Sequence, residues 1–107
     1  ALLERADRLR CPLHLFFGQQ DFFIPQEEVR RIGEKLRALG LDHSIENYEG
    51  AVHGFCAEAR SESYHAAAAQ DAWAKLEKIL LAAAKKYVGV VSRCVLYTGP
   101  HTTAFAW

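Results

Sequence analysis

Two hydrophobic rhythms alternate along the chain. Residues 11–18, Cys-Pro-Leu-His-Leu-Phe-Phe-Gly, read as a strand, with Leu13, Leu15 and Phe17 on one face and Pro12, His14 and Phe16 on the other. Both faces are largely apolar, as in a strand of a parallel sheet covered by helices on two sides. Beyond Pro25 the period changes: Val29, Ile32, Leu36 and Leu39 recur at spacings of three and four, which makes one apolar helical stripe. Pro25 suits the first turn of that helix, Glu27 and Glu28 suit its positive end, and Arg37 suits its negative end. Gly40 is placed to cap it. Residues 41–49 return to a strand pattern, more polar than the first, with Ile45 and Tyr48 as its core candidates. Strand, helix and strand in this order predict a βαβ unit with parallel strands.

The rest of the chain is organised more simply. Residues 1–10 have helical propensity and predict a short lead-in turn or helix. Residues 50–63 predict a loop, and an Ala-rich helix follows to about Lys86, with Trp73, Leu76, Leu80 and Tyr87 on one face. Asp71 and Lys75 are spaced to pair on its exposed flank. Residues 88–97 are rich in β-branched and apolar side chains and predict a further strand, which Thr98-Gly99-Pro100 breaks before an irregular end. The expected fold class is α/β: a parallel βαβ core with flanking helices over residues 1–87, then a strand-like C-terminal tail over residues 88–107.

At 107 residues the chain is long enough for one domain, and its apolar half is sufficient for a buried core. Thirteen basic residues balance thirteen acidic ones and form no long cationic block, which argues against nucleic acid or an anionic membrane as a partner. Cys11, Cys56 and Cys94 have no CxxC spacing and are odd in number, so a reducing, cytoplasmic setting is expected. No apolar run approaches the roughly 20 residues of a membrane span, and the first ten residues lack the apolar stretch of a signal peptide. The sequence contains no Met and starts at Ala1, which suggests a processed, trimmed or partial product.

Candidate chemistry lies in two loops, each following a predicted strand. The first holds Gly18-Gln19-Gln20-Asp21-Phe22-Phe23-Ile24-Pro25 and the second Gly50-Ala51-Val52-His53-Gly54-Phe55. Parallel strands bring such loops to one edge of the sheet, where ligands and catalytic groups collect. An Asp beside a His there meets the needs of acyl transfer, because the carboxylate fixes the imidazole tautomer and offsets the charge of its protonated form. The same residues also admit a plainer account, with Asp21 as a helix cap and His53 as part of a turn.

The combination of GxxDxxxP after one strand and GAxHGF after the next resembles the C-terminal half of dienelactone hydrolase family proteins, in the α/β-hydrolase superfamily. Ser63-Tyr64-His65 and the later Asp71-Ala72-Trp73 extend the similarity, which covers about residues 5–87. The resemblance implies a partial α/β-hydrolase fold and assigns Asp21 and His53 as the acid and the histidine of a Cys-His-Asp triad. It implies hydrolysis of lactone or ester bonds in small molecules, with no metal or organic cofactor.

Departures from the family pattern are equally specific. The family's nucleophile sits on a Gly-x-Cys-x-Gly elbow earlier in its chain, together with the oxyanion-hole segment, and neither is found in this sequence. Gly89-Val90-Val91-Ser92-Arg93 lacks the second glycine and the elbow context. Val52 stands where many relatives have glycine, and the family's carboxylate-holding arginine is matched to no position, although Arg60 is nearby in sequence. Cys56 follows His53 by three positions but has no elbow to present it. His43, His53 and His65 with a cysteine form no known zinc spacing. Two functions therefore stand side by side. One is an ester or lactone hydrolase present as a partial chain, inactive alone. The other is a non-catalytic, self-associating binding or structural module. A homo-oligomer is expected, most simply a twofold dimer with the tail at or near the contact, residues 88–97 filling the bare edge of the strand at residues 12–17 either within their own chain or in a partner.

Overall fold

The computed structural model describes residues 3–86 together with residues 98–99 and 102–103. A 3₁₀ helix, Leu3–Arg8, leads into strand β1 (Leu13–Gly18), helix α1 (Gln26–Ala38), strand β2 (His43–Tyr48) and helix α2 (Ala66–Lys86). Strands β3 (Thr98–Gly99) and β4 (Thr102–Thr103) complete the described elements. β1 and β2 pair in parallel, in register from Leu13 opposite His43 to Gly18 opposite Tyr48, with α1 as the crossover between them. A parallel pair cannot be joined by a tight turn, so the helix is what returns the chain to the start of the sheet.

Alternation along β1 decides where each helix packs. Phe16 points into a cluster with Ala51, Phe55, Cys56, Ala68, Ala69, Ala72 and Leu76, against which Tyr48, Ile79 and Leu80 also pack. Phe17 points the other way, to Val29 of α1, with Leu15, Ile24, Ile32 and Ile45 around it. The sheet is thus covered on both faces, as its doubly apolar first strand predicted. Ile45 and Tyr48 of β2 are half-buried and contribute one to each cluster. Their odd separation of three residues puts them on opposite faces.

Helix α1 buries Val29, Gly33 and Leu36, and its ends follow from its residues. Leu39 is the last residue before the turn, and Gly40 takes a φ of +66°, a left-handed conformation that L side chains resist. The amides of Gly40 and Leu41 then donate to the carbonyls of Arg37 and Leu36, at 3.0 and 3.1 Å, and so satisfy the helix's last acceptors. Pro25 was expected inside the first turn. It sits one position earlier, at the N-cap, where its carbonyl accepts from the amides of Glu28 and Val29. Having no amide to satisfy, proline loses nothing at a helix start.

Trp73 does not join the buried face of α2 as its spacing suggested; it is 47 % exposed. The residues that do bury, Ala68, Ala69, Ala72 and Leu76, are mostly small. Small side chains let the helix approach Phe16 and Phe55 closely, and at about 100° per residue Trp73 falls on the flank of that contact. There it lines an open groove with Leu76, Leu80, Leu81 and Ala84. The Asp71–Lys75 pair forms at 2.8 Å and reaches further than its own helix. Lys75 also meets Glu46 at 2.9 Å, and the Tyr48 hydroxyl donates to Asp71 at 2.6 Å, so the cluster ties α2 to β2.

Tyr87 and the strand expected over residues 88–97 lie outside the described residues. Thr98 and Gly99, expected to end that strand, instead pair antiparallel with Thr103 and Thr102. No described helix is long and apolar enough to cross a membrane.

A candidate active site at the carboxyl edge of the sheet

β1 and β2 end opposite each other at Gly18 and Tyr48, so their following loops leave the sheet on the same edge. The hydrogen-bonding continues past the strands: the Gln19 amide donates to Tyr48 O at 2.8 Å and the Gln20 amide to Ala51 O at 2.9 Å. This close approach requires glycine at position 18. A Cβ there would lie 2.4 Å from the Ala51 carbonyl oxygen, a backbone atom with no freedom to withdraw. Gly18 therefore holds the two loops together before any functional side chain is considered.

Asp21 is 4 % exposed and uses both carboxylate oxygens. Oδ1 accepts from the amides of Phe23 and Ile24, at 2.7 and 2.9 Å, and Oδ2 lies 2.8 Å from Nδ1 of His53. The plainer account of Asp21 and the chemical one thus describe different oxygens of one side chain. Oδ1 builds the turn that leads to α1, and Oδ2 faces the imidazole. A carboxylate only accepts, so Nδ1 carries the proton and Nε2 is the ring's available lone pair. The His53 side chain is 38 % exposed against 1 % for Asp21, which leaves the ring accessible while its partner is shielded. Phe23 completes the group, its ring centroid 5.1 Å from that of His53 at an interplanar angle of 61°.

Elsewhere the histidines are put to other uses. His43 Nδ1 donates to Leu41 O at 2.7 Å at the far end of β2, and His65 Nδ1 accepts from the Ala68 amide at 3.2 Å at the start of α2. His65 also donates its own amide to Phe55 O at 3.0 Å, which fastens the His53 loop to that helix. Its capping role was missed in the sequence because histidine is not a favoured N-cap; its place just before the Ala66 run was the available signal. Among the described residues, no three His, Cys, Asp or Glu side chains converge to hold a metal. Cys56 is buried in the Phe16 cluster, where loss of water pushes its thiol up to about 11, so it is a protonated, apolar side chain at neutral pH. Arg60 lies beside Gly54, its Nη1 3.9 Å from where a Cβ on that glycine would sit. Val52 is half-buried, and Cys94 lies outside the described residues.

A parallel α/β core with a carboxylate–histidine pair at its carboxyl edge is the arrangement of α/β hydrolases. Residues 2–84 match the dienelactone hydrolase family, and the chain belongs to it. Relatives include a protein of Synechocystis provisionally named carboxymethylenebutenolidase, 38% identical over 73 residues, which cover 68% of this chain and 29% of the relative. A protein of the same provisional name from Escherichia coli K12 is 41% identical over 74 residues, covering 69% of this chain and 27% of its own. The crystal structure of a provisionally named dienelactone hydrolase from Klebsiella pneumoniae is similar at a TM-score of 0.66 and 34% identity, over 69% of this chain and 30% of that one. The chain accordingly spans less than a third of the length of these relatives.

Proposed function

We propose that this chain carries the acid and base of a hydrolase acting on lactone or ester bonds in small molecules, in a cytoplasmic setting. The observation that supports this most directly is the 2.8 Å contact between Asp21 Oδ2 and His53 Nδ1, with the carboxylate buried and the ring accessible. In that role His53 Nε2 takes the proton of the attacking group and later returns it to the leaving oxygen. Asp21 holds the ring's tautomer and offsets the charge the ring gains while it carries the proton. The names of the Synechocystis and Escherichia coli relatives point to the same class of bond.

The nucleophile is the missing part. No Gly-x-Cys-x-Gly elbow occurs in the 107 residues, and burial holds the Cys56 thiol protonated. A base without a group to deprotonate, and without oxyanion donors, accelerates ester cleavage little. The chain by itself should therefore hydrolyse 4-nitrophenyl acetate no faster than its His53→Ala variant. Turnover that disappears in Cys56→Ala would overturn this and make the buried thiol the nucleophile.

A second reading is a non-catalytic, self-associating module, as a homodimer. It is favoured by β1, which is apolar on both faces yet paired on one edge only among the described residues. Light scattering tests this reading, since a monomer across the micromolar range removes it.

A further inference from the structure

Phe22 and Phe23 are 89 % and 74 % exposed, although they sit between the buried Asp21 and Ile24, which packs against the α1 side of the core. Hydrophobic burial does not account for phenylalanine at either position. Phe23 touches both members of the dyad. Its amide donates to Asp21 Oδ1 at 2.7 Å, and its ring meets the His53 ring at 5.1 Å and 61°. The amide contact would survive in any residue except proline; the ring contact would not. Phe22 stands behind, its ring 5.8 Å from that of Phe23 and nearly perpendicular at 88°, so the three rings form a series ending on the imidazole. A single hydrogen bond fixes where Nδ1 lies but leaves the ring free to swing about that point. A second contact on the flank of the ring selects one orientation, and with it the direction of Nε2.

We propose that Phe23 is a positioning residue: its aromatic ring holds the His53 imidazole in the orientation set by Asp21. The catalytic meaning of this orientation rests on the function proposed above, whereas the orientation itself is measurable without any turnover. The test is nuclear magnetic resonance on the ¹⁵N-labelled 107-residue chain and its Phe23→Ala, Phe23→Leu and Phe23→Tyr variants. Three readouts apply to His53: the tautomer from its ring nitrogen shifts, the exchange rate of the Nδ1 proton with water, and the side-chain couplings that report rotamer. Amide shifts of β1 and β2 serve as the control for fold.

In the parent chain His53 should show the Nδ1–H tautomer and one rotamer. Phe23→Ala and Phe23→Leu should speed exchange of the Nδ1 proton about five- to tenfold and mix rotamers, the size of effect an aromatic pair supports, with strand amides unmoved. Phe23→Tyr should restore the parental values. Parental exchange and rotamer in either the Ala or the Leu variant would overturn the proposal, since the ring would then not be needed. Absence of the Nδ1–H tautomer in the parent chain would instead remove the Asp21–His53 reading itself, so the two failures are distinguishable.

Discussion

His53 bonds through Nδ1 to Asp21 at 2.8 Å, and His14 bonds through Nδ1 to Ser44 at 2.7 Å. Both bonds bridge from the β1 side of the unit to the β2 side, one beyond the carboxyl ends of the strands and the other near their start. The partners make the difference. Asp21 is a buried carboxylate already held by the amides of Phe23 and Ile24, so it presents a fixed negative charge to a ring that remains open to solvent. Ser44 is a neutral hydroxyl, and desolvation by burial holds His14 below the usual imidazole range, opposed in part by the charge of Asp42. Equal geometry therefore yields unequal chemistry. One ring faces a carboxylate; the other faces a hydroxyl, is held below the usual imidazole range by burial, and serves as a cross-strand tie.

That contrast can be broken most forcefully at the partners. Asp21→Ala leaves the Phe23 and Ile24 amides without their acceptor, and should cost about 3 kcal/mol of stability in urea unfolding, the loss of two part-buried hydrogen bonds to a charged carboxylate. A loss under about 1 kcal/mol would show that water reaches these amides and that the turn does not depend on the carboxylate. Ser44→Ala should cost only about 1 kcal/mol by the same measurement, because a single half-buried hydrogen bond is removed. Equal costs at the two positions would erase the distinction between them.

The smallest effect concerns pH. Because the fold disfavours the charged form of His14, the unfolded chain binds a proton first as pH falls below the ordinary value of 6.5. The stability contributed by neutral His14 is full above that value and is lost as pH falls toward the folded pKa. His14→Gln removes this loss. The difference in unfolding free energy between parent and variant should therefore shift against the parent between about pH 7.5 and about pH 5.5. A difference that is flat across the window would mean that His14 titrates alike in both states.

Some of this was legible along the chain. Gly40 after the Val29–Ile32–Leu36 stripe marked the end of α1, since only glycine sits easily at the φ that follows. Asp21 and His53 could be placed on one edge once the strands before them were read as parallel. Other features could not be read. Whether Trp73 or Ala72 faces the sheet depends on how near α2 comes to Phe16, a property of the packed pair rather than of the helix. Phe23 looked like an ordinary loop residue because its partner in the ring contact, His53, is thirty positions away.

What the sequence by itself determined is the order and period of the elements and the placing of Asp21 and His53 in the loops that follow the two strands. These depend on local matters: side-chain alternation, helical spacing, glycine at a positive φ, proline at a helix start. The tertiary structure alone decided how the two loops meet. Gly18 against the Ala51 carbonyl sets their separation, and the division of Asp21 between two amides and one imidazole sets their chemistry. The physical reason is that a hydrogen bond or a ring contact exists only when both partners are fixed to within a few tenths of an ångström. Residues so far apart in the chain reach that precision through the packing of the sheet against its helices.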